Sequence, residues 1–176
     1  MPNFKKCIFA ASKIPLLGCI VGKTGVRPDP EKIKAITDWP VPVDVKGLQK
    51  FLGLAAYLHK YSRNYAEMTA HLSRLLKKDV KWSWNADYQR SFEGIKQSLI
   101  QSPVLAITDQ DRPFHVVCDA NDFVIGCALM QNDTDGAERV VCYQSRQLQP
   151  AEQNYLVHDQ ELLAMKYALA KFRFSL

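Results

Sequence analysis

At 176 residues with an apolar fraction of 47%, the chain is long enough to form one or two domains around a core. A charged fraction of 23% is ordinary for a globular protein, and no apolar run approaches the roughly 20 residues of a membrane span, which excludes disordered and membrane-spanning chains. The net charge of +5 is unevenly divided, because residues 1–81 hold 15 Lys and Arg against 6 Asp and Glu, whereas residues 82–176 hold 8 against 12. A basic half suits a polyanion, and an acidic half suits a divalent metal or is solvated surface.

The first part of the chain predicts short strands followed by a helix. Residues 4–21 are typical of two strands around a turn at Ser12-Lys13, and the glycines within residues 22–25 indicate a second turn. Pro28-Asp29-Pro30 then predicts the start of a helix over residues 31–38, because proline is tolerated in the first helical turn.

Two further helices are predicted next. Asp44 is suited to cap the first of them, whose apolar residues recur at helical spacing. The second helix covers residues 65–78 and ends in basic residues, which suit the negative pole of the helix dipole. The apolar stripe of the first helix consists of Leu48, Phe51, Leu52, Ala55 and Leu58.

The second half predicts a helix, three strands and a final helix, which makes the fold class α+β. Asn85 is suited to cap the first helix, and Pro103 ends it. The first strand is nearly all apolar, as in a strand covered on both faces, and an Asp-Gly turn separates the other two. The predicted ranges are residues 86–101 for the helix, 114–118, 123–131 and 139–145 for the strands, and about 151–158 to 174 for the last helix.

Five cysteines occur, an odd number with no C-x-x-C spacing, which argues against a disulfide framework and a zinc site. The amino terminus lacks the long apolar stretch of a signal peptide. We therefore expect an intracellular protein with no signal peptide, whose thiols are reduced and mostly buried. The cysteines are Cys7, Cys19, Cys118, Cys127 and Cys142.

Two carboxylates are candidates for metal chemistry. Asp119 follows the apolar strand, where an unpaired charge is costly to bury. Glu161 lies on the last helix near the apolar residues Met165, Ala168 and Phe172, and so borders the stripe expected to pack on the sheet. The two oxygen ligands are suited to Mg²⁺ or Mn²⁺, which can assist hydrolysis of a phosphodiester. The alternative is that Asp119 starts a turn and Glu161 is a surface residue.

Several motifs follow one another in the same region: FHVVCDAN from Phe114, IGCALMQ from Ile125, VCYQSRQL from Val141, AEQNY from Ala151 and DQELLA from Asp159. In this order they resemble the RNase H domain of Ty3/gypsy-type LTR retrotransposons. The resemblance implies that Asp119 and Glu161 are catalytic, metal-binding carboxylates of that nuclease.

The chain departs from the family pattern in two ways. Asn121 stands where the family usually has serine. The family's third carboxylate lies on a strand after the helix, and Asp122, Asp133 and Asp135 do not match it. We therefore expect an RNase H-like domain that is truncated at its C-terminus and inactive by itself.

The front half carries LLG from Leu16, PDPEKI from Pro28 and LQKFLGL from Leu48. These motifs resemble the palm edge and thumb of the reverse transcriptase in the same polyprotein. The resemblance implies a primer grip at Leu17 and Gly18. The residues of the thumb helix suit nucleic-acid contacts, because lysines bind phosphates, glycine permits close approach and tyrosine stacks. They are Lys46, Lys50, Gly53, Tyr57 and Lys60, and the alternative is a solvated helix face.

Four segments are predicted. They are a palm-edge hairpin over residues 1–26, a helical thumb-like segment over 27–80, a linker and connecting helix over 81–103, and the truncated RNase H-like domain over 104–176.

The resemblance implies a parent that copies RNA into DNA and hydrolyses the RNA strand. This chain would bind RNA–DNA hybrid or primer–template, with the rest of the Pol polyprotein as partner, in a cytoplasmic particle or the nucleus and without a membrane. It lacks the Tyr-x-Asp-Asp turn of a polymerase, so we expect no DNA synthesis. The open alternatives are a non-catalytic binding or scaffold module, as in retroviral connection regions, and an unexpressed transposon relic.

Overall fold

The computed structural model describes residues 10–173, which form two three-stranded antiparallel sheets and five α-helices. The predicted α+β class is confirmed, with a helical segment followed by three strands and a helix. Strand predictions before residue 10, and Phe174, lie outside the described residues. The elements are β1 (Lys13–Leu16), β2 (Cys19–Gly22), β3 (Gly25–Pro28), α1 (Pro30–Thr37), α2 (Val45–Tyr57), α3 (Tyr65–Arg74), α4 (Ala86–Ile100), β4 (Phe114–Ala120), β5 (Val124–Asn132), β6 (Glu138–Gln147) and α5 (Val157–Phe172).

The first sheet is a meander of β1, β2 and β3. Its first turn lies at Leu17-Gly18, so the turn predicted at Ser12-Lys13 was wrong. Leu17 and Gly18 have φ angles of 47° and 68°, and a two-residue hairpin turn of this kind needs positive φ at both positions, which glycine adopts without strain. The second turn, between Gly22 and Gly25, is where the sequence predicted it.

The helices α1 to α4 pack around one core. The predicted caps are confirmed, because the Asp44 carboxylate accepts a bond from the Gly47 amide at 2.6 Å and Asn85 caps α4. Helix α3 ends at Arg74, one turn earlier than predicted. The buried residues of this core are Cys19, Ile36, Leu48, Phe51, Ala55, Leu58, Tyr61, Leu72, Leu75, Phe92, Ile95, Leu99 and Leu105.

The second sheet has the order β4-β5-β6, and α5 packs on one face of β4 and β5. Alternate residues of β4, including Cys118, face α5, whereas His115, Val117 and Asp119 are exposed. The prediction that this strand is covered on both faces was wrong. The other face of the sheet is covered at β6, where α3 and a 3-10 turn over His59–Tyr61 pack, and the part of the chain that the structure describes leaves it open at β4.

The two halves of the chain are joined through backbone hydrogen bonds. Val26 and Leu105 exchange two N–H···O bonds of 2.8 Å, and the Ala106 amide donates to the Val140 carbonyl at 2.7 Å. Gly25 has a φ of 130° and lies so close that a Cβ there would be 2.2 Å from the Leu105 carbonyl oxygen. This joint therefore requires glycine at position 25.

Within residues 10–173, no helix is both long and apolar enough to cross a membrane.

Candidate nucleic-acid interface

One face of α2 carries four of the predicted binding residues. Lys46, Lys50, Gly53 and Tyr57 are spaced by four, three and four positions, which aligns them on a helix with 3.6 residues per turn. All four are exposed. Nothing lies within 4 Å of a Cβ built on Gly53, so the helix surface is open there. We call these residues the α2 stripe.

The hairpin between β1 and β2 meets the end of the α2 stripe. A Cβ on Gly18 would lie 2.8 Å from the Tyr57 hydroxyl oxygen, so the tyrosine ring packs directly on the turn. Leu17, beside it, is 83% exposed although leucine rarely adopts its positive φ. The predicted primer-grip residues and the predicted thumb residues are therefore brought together into one surface.

The environment of Tyr57 keeps its hydroxyl protonated. Desolvation against the hairpin, together with the Cys19 thiol and the Asp29 carboxylate, raises the pKa of Tyr57 above its ordinary value. The hydroxyl is thus neutral at physiological pH and able to donate a hydrogen bond to an acceptor such as a phosphate or sugar oxygen.

Lys60 differs from the other predicted lysines. Its ammonium group donates to the Cys19 thiol at 3.4 Å and lies 5.2 Å from the centre of the Tyr61 ring. The side chain is half-buried beneath the hairpin, whereas those of Lys46 and Lys50 are exposed. Lys60 therefore packs beneath the hairpin, whereas Lys46 and Lys50 are exposed and form no ion pair within residues 10–173.

Asp119 lies at the open face of the second sheet. In the strand register it is opposite Gly126, and it is exposed. It lines a cavity of about 150 Å³ between the open face of the sheet and the link that precedes α3. We call this cavity the sheet cleft; its lining includes Arg63, Asn64, Val117, Asp119, Gly126 and Tyr143.

Glu161 is exposed on α5 and does not line the sheet cleft. The sheet-facing residues of α5 include Ala164 and Ala168, whereas Met165, expected on the packed stripe, is 53% exposed. Ala164 packs near Cys118 and Ala120, the neighbours of Asp119 in β4. Glu161 is one turn before Ala164 on α5, whereas Asp119 is on the strand face turned away from α5, so the structure does not bring the two carboxylates onto one face of the sheet.

The chemistry of the two carboxylates suits a hard divalent cation, but two ligands are few. Among the residues that the structure describes, no group of three or more His, Cys, Asp or Glu side chains is placed to hold a metal ion. A metal at Asp119 and Glu161 would therefore need further ligands from outside these residues or from substrate oxygens.

Asn121, the departure from the family pattern, has a structural contact. Its side-chain oxygen accepts bonds from the Phe123 amide at 2.9 Å and the Val124 amide at 2.8 Å. It thereby closes the hairpin between β4 and β5, next to Asp119.

Sequence reasoning missed Arg63, Asn64 and Tyr143 as neighbours of Asp119. They are 56, 55 and 24 positions away along the chain. The positive charge of Arg63 was the one available signal, and nothing in the sequence related it to the strand.

The RNase H-like domain found in reverse transcriptase matches residues 84–176, which is more than half of the chain. The chain belongs to this family. The predicted resemblance to a retrotransposon polyprotein is confirmed as well.

Two polyproteins are similar over nearly all of this RNase H-like chain. It is 34% identical over 182 residues to the retrovirus-related Pol polyprotein from transposon opus of Drosophila melanogaster, a match that covers 97% of the chain and 18% of the polyprotein. It is 34% identical over 171 residues to the transposon Tf2-3 polyprotein of Schizosaccharomyces pombe, covering 97% of the chain and 13% of that protein. The chain thus corresponds to the reverse transcriptase and RNase H region of much longer proteins.

Solved structures show the same fold. A foamy viral protease–reverse transcriptase in complex with an RNA/DNA hybrid superposes with a TM-score of 0.83 at 22% identity, covering 97% of this chain and 23% of the viral one. Another, in complex with double-stranded DNA, superposes with a TM-score of 0.80 at 22% identity, covering 92% of this chain and 34% of the viral one.

Proposed function

We propose that this RNase H-like chain binds a nucleic-acid duplex, either an RNA–DNA hybrid or a primer–template, along the α2 stripe and the hairpin tip at Leu17-Gly18. The observation that carries the proposal is the packing of Tyr57 on Gly18, which unites two sequence-distant sets of residues in one exposed surface. The foamy viral enzymes of the same fold were solved with an RNA/DNA hybrid or double-stranded DNA, which supports the proposal.

Each residue has a physical role in this proposal. Lys46 and Lys50 neutralise phosphates and release counterions, which is the main source of affinity for a duplex. Gly53, with open space above its Cα, lets a sugar–phosphate backbone approach the helix. The Tyr57 hydroxyl donates to the backbone, and Leu17 contacts the apolar edge of a sugar or base.

We further propose that Asp119 and Glu161 belong to a nuclease centre of the longer polyprotein, where they would be ligands of Mg²⁺ or Mn²⁺. The metal, when bound, would polarise the scissile phosphodiester and the attacking water. This chain would contribute the two carboxylates, Asp119 from β4 and Glu161 from α5. The remainder of the Pol polyprotein is the protein partner that we propose.

The binding proposal is tested with a fluorescent RNA–DNA hybrid and anisotropy titrations at several salt concentrations. We expect the double variant Lys46→Ala, Lys50→Ala to bind more weakly and to lose about 0.9 units of log–log salt slope for each phosphate contact removed. The control is Lys77→Ala, Lys78→Ala, which removes the same charge from exposed residues beyond α3.

Equal losses in both double variants would show that only net charge matters and would overturn the α2 stripe as the interface. No measurable binding by the unmodified chain would overturn the function as a whole.

A binding module without nuclease activity is the second candidate function. It is favoured by the placement of Asp119 on the strand face turned away from α5, the helix that carries Glu161. We expect the chain, incubated with labelled hybrid and Mg²⁺, to bind without cutting the RNA strand. Cleavage that Asp119→Asn abolishes would instead assign nuclease activity to this chain.

A further inference from the structure

The sheet cleft is built by both halves of the chain. Arg63 and Asn64 come from the link between the 3-10 turn and α3, whereas Val117, Asp119 and Gly126 come from the sheet. The cleft therefore exists only because the helical half packs on the open side of the sheet.

The link is fixed over the sheet on both sides of Arg63. Before it, a ring nitrogen of His59 is 3.3 Å from the Gln144 side-chain oxygen. After it, the Ala66 amide donates to the Ser145 hydroxyl at 3.0 Å. Because both anchors lie on β6, the backbone at Arg63 is held beside the cleft.

Arg63 is an available cation opposite an available carboxylate. Within residues 10–173, neither Arg63 nor Asp119 takes part in an ion pair, and both are exposed. The side chain of Asn64, the N-cap residue of α3, forms no capping hydrogen bond. Gly126, opposite Asp119, has no side chain to fill the cleft, and no described atom lies within 4 Å of a Cβ built there.

These features fit a phosphodiester better than a neutral ligand. A nucleic-acid strand that approached Asp119 alone would be repelled by the carboxylate. The Arg63 guanidinium offsets this repulsion and presents paired donors that match two phosphate oxygens, and the amide of Asn64 adds a further donor. We propose that the sheet cleft binds one strand of the duplex, with Arg63 as its phosphate ligand; this rests on the proposed function.

The experiment compares Arg63→Ala with Arg74→Ala in anisotropy titrations with the same RNA–DNA hybrid. Arg74 is exposed at the other end of α3 and carries the same charge. We expect Arg63→Ala to weaken binding about tenfold at low salt and to make the salt slope about 0.9 units shallower, with Arg74→Ala close to the unmodified chain. Arg63→Lys keeps the charge but loses the paired donors, and we expect it to fall between the two.

A site-specific readout accompanies the titrations. Methylphosphonate linkages, which lack the phosphate charge, are placed one at a time along each strand of the hybrid. At one position, the methylphosphonate is expected to weaken binding by the unmodified chain but not binding by Arg63→Ala. If Arg63→Ala binds as tightly as the unmodified chain and the Lys46, Lys50 double variant binds more weakly, the proposal for the cleft is overturned and the duplex-binding function stands. If neither variant loses affinity, both proposals are contradicted.

A second, independent observation concerns two cysteines. Cys118 and Cys127 are directly opposite in the register of β4 and β5, and both pack beneath α5. Hydrogen-bonded and non-hydrogen-bonded pairs alternate along an antiparallel ladder. The Asn121 amide donates to the Val124 carbonyl, so these two residues form a hydrogen-bonded pair. Cys118 and Cys127 are three pairs further along and therefore form a non-hydrogen-bonded pair. Cα atoms of such pairs are about 4.5 Å apart, within the range of about 4.4 to 6.8 Å that a disulfide spans.

The two thiols also interact. Burial and the neighbouring Cys118 thiol, which is within hydrogen-bond reach, raise the pKa of Cys127 to about 12. Cys127 is therefore a protonated thiol in the folded chain, and Cys118 is the more exposed of the two.

We propose that Cys118 and Cys127 form a cross-strand disulfide when the protein meets a low-molecular-weight disulfide. The Cys118 thiolate attacks one sulfur of that reagent and displaces its other half as a thiol. Cys127 then attacks the mixed disulfide, and its thiol proton passes to the departing thiolate, so the second half of the reagent leaves as a thiol; the two cysteines are oxidised and the reagent is reduced. The bond would cross-link the strand that bears Asp119 to its neighbour.

The test is incubation of the folded chain with oxidised glutathione, followed by non-reducing digestion and mass spectrometry. Trypsin leaves both cysteines in one peptide, because residues 113–138 contain no Lys or Arg, whereas chymotrypsin cuts between them at Phe123. We expect linked chymotryptic peptides from the unmodified chain and from Cys142→Ser, and none from Cys118→Ser. Free or glutathione-bound Cys118 as the final product would overturn the proposal.

Discussion

The helical half and the sheet half of this RNase H-like chain are packed differently. Among residues 10–173, the helical half has one cluster of thirteen buried residues, whereas the sheet half has two clusters of four and three, so its own core is small. Helix α5 also leaves Leu162, Met165 and Leu169 more than half exposed. The comparison shows that the helical half is stabilised by its own core, whereas the sheet half depends on contacts beyond itself, among them the joint at Leu105.

The largest effect on stability is expected from Gly25→Ala, because the substitution disrupts the joint between Val26 and Leu105. The added Cβ would lie 2.2 Å from the Leu105 carbonyl oxygen, and the φ of 130° disfavours any side chain. We expect a loss of about 3 kcal/mol or more in the free energy of unfolding, measured by urea denaturation. Gly136→Ala is the control, because Gly136 also has a positive φ but no atom within 4 Å of the added Cβ. A similar loss in both variants would refute close packing as the cause.

Lys96→Met tests the core of the helical half. Lys96 is 7% exposed, and its ammonium group donates to the carbonyls of Thr37 at 3.0 Å and Trp39 at 2.6 Å, which holds the end of α1 against α4. Removing the donor deprives both carbonyls of a charged hydrogen-bond partner, so we expect a loss of about 2 kcal/mol in thermal denaturation. Arg90→Met, at an exposed site on α4, is the control and is expected to change the stability little. If Lys96→Met is as stable as the unmodified chain, the two hydrogen bonds of Lys96 do not stabilise this core.

Glu152→Gln tests how β6 is held to the segment that precedes α5. Glu152 accepts two bonds from the Arg146 guanidinium, at 2.6 and 2.9 Å, and one from the Gln149 amide. The Arg146 hydrogen bonds lower the pKa of Glu152 below its usual value near 4.5, so its contribution is complete above that pH and is lost as the pH falls through the folded-state pKa. We expect Glu152→Gln to cost about 1 kcal/mol at pH 7.

The melting temperatures of both proteins between pH 7 and pH 3 check this pH dependence. The difference between them is expected to shrink in the acid range. A difference that stays constant with pH would show that the charge of Glu152 is not what stabilises the link.

The smallest effect is expected from Gly53→Ala, and its sign is opposite. Alanine favours a helix over glycine by up to about 1 kcal/mol, and nothing obstructs the new Cβ in α2, so the helical half should become more stable. Hybrid binding should nevertheless weaken if a backbone approaches this position. Gly94→Ala in α4 has equally open space and serves as the control for stability without a binding effect. Unchanged binding by Gly53→Ala would remove this glycine from the interface.

The sequence predicted the helices well because their signals are local. Asp44 and Asn85 are caps whose partners lie two or three residues away, and the buried apolar residues of α2 around Phe51 follow from helical spacing alone. The turn of the first hairpin was misplaced, because the sequence reasoning did not take Leu17 as a residue with positive φ. The coverage of β4 was wrong because a run of apolar residues does not reveal which neighbours each face receives.

The amino-acid sequence by itself determined the α+β class, the helix caps, the α2 stripe and the family, since each depends on residue type and on spacing along the chain. The tertiary structure alone decided that Tyr57 packs on Gly18, that Arg63 and Asp119 line one cleft, and that Cys118 is opposite Cys127. These are contacts between distant residues, fixed by strand register and by how the two halves pack, and no local pattern encodes them.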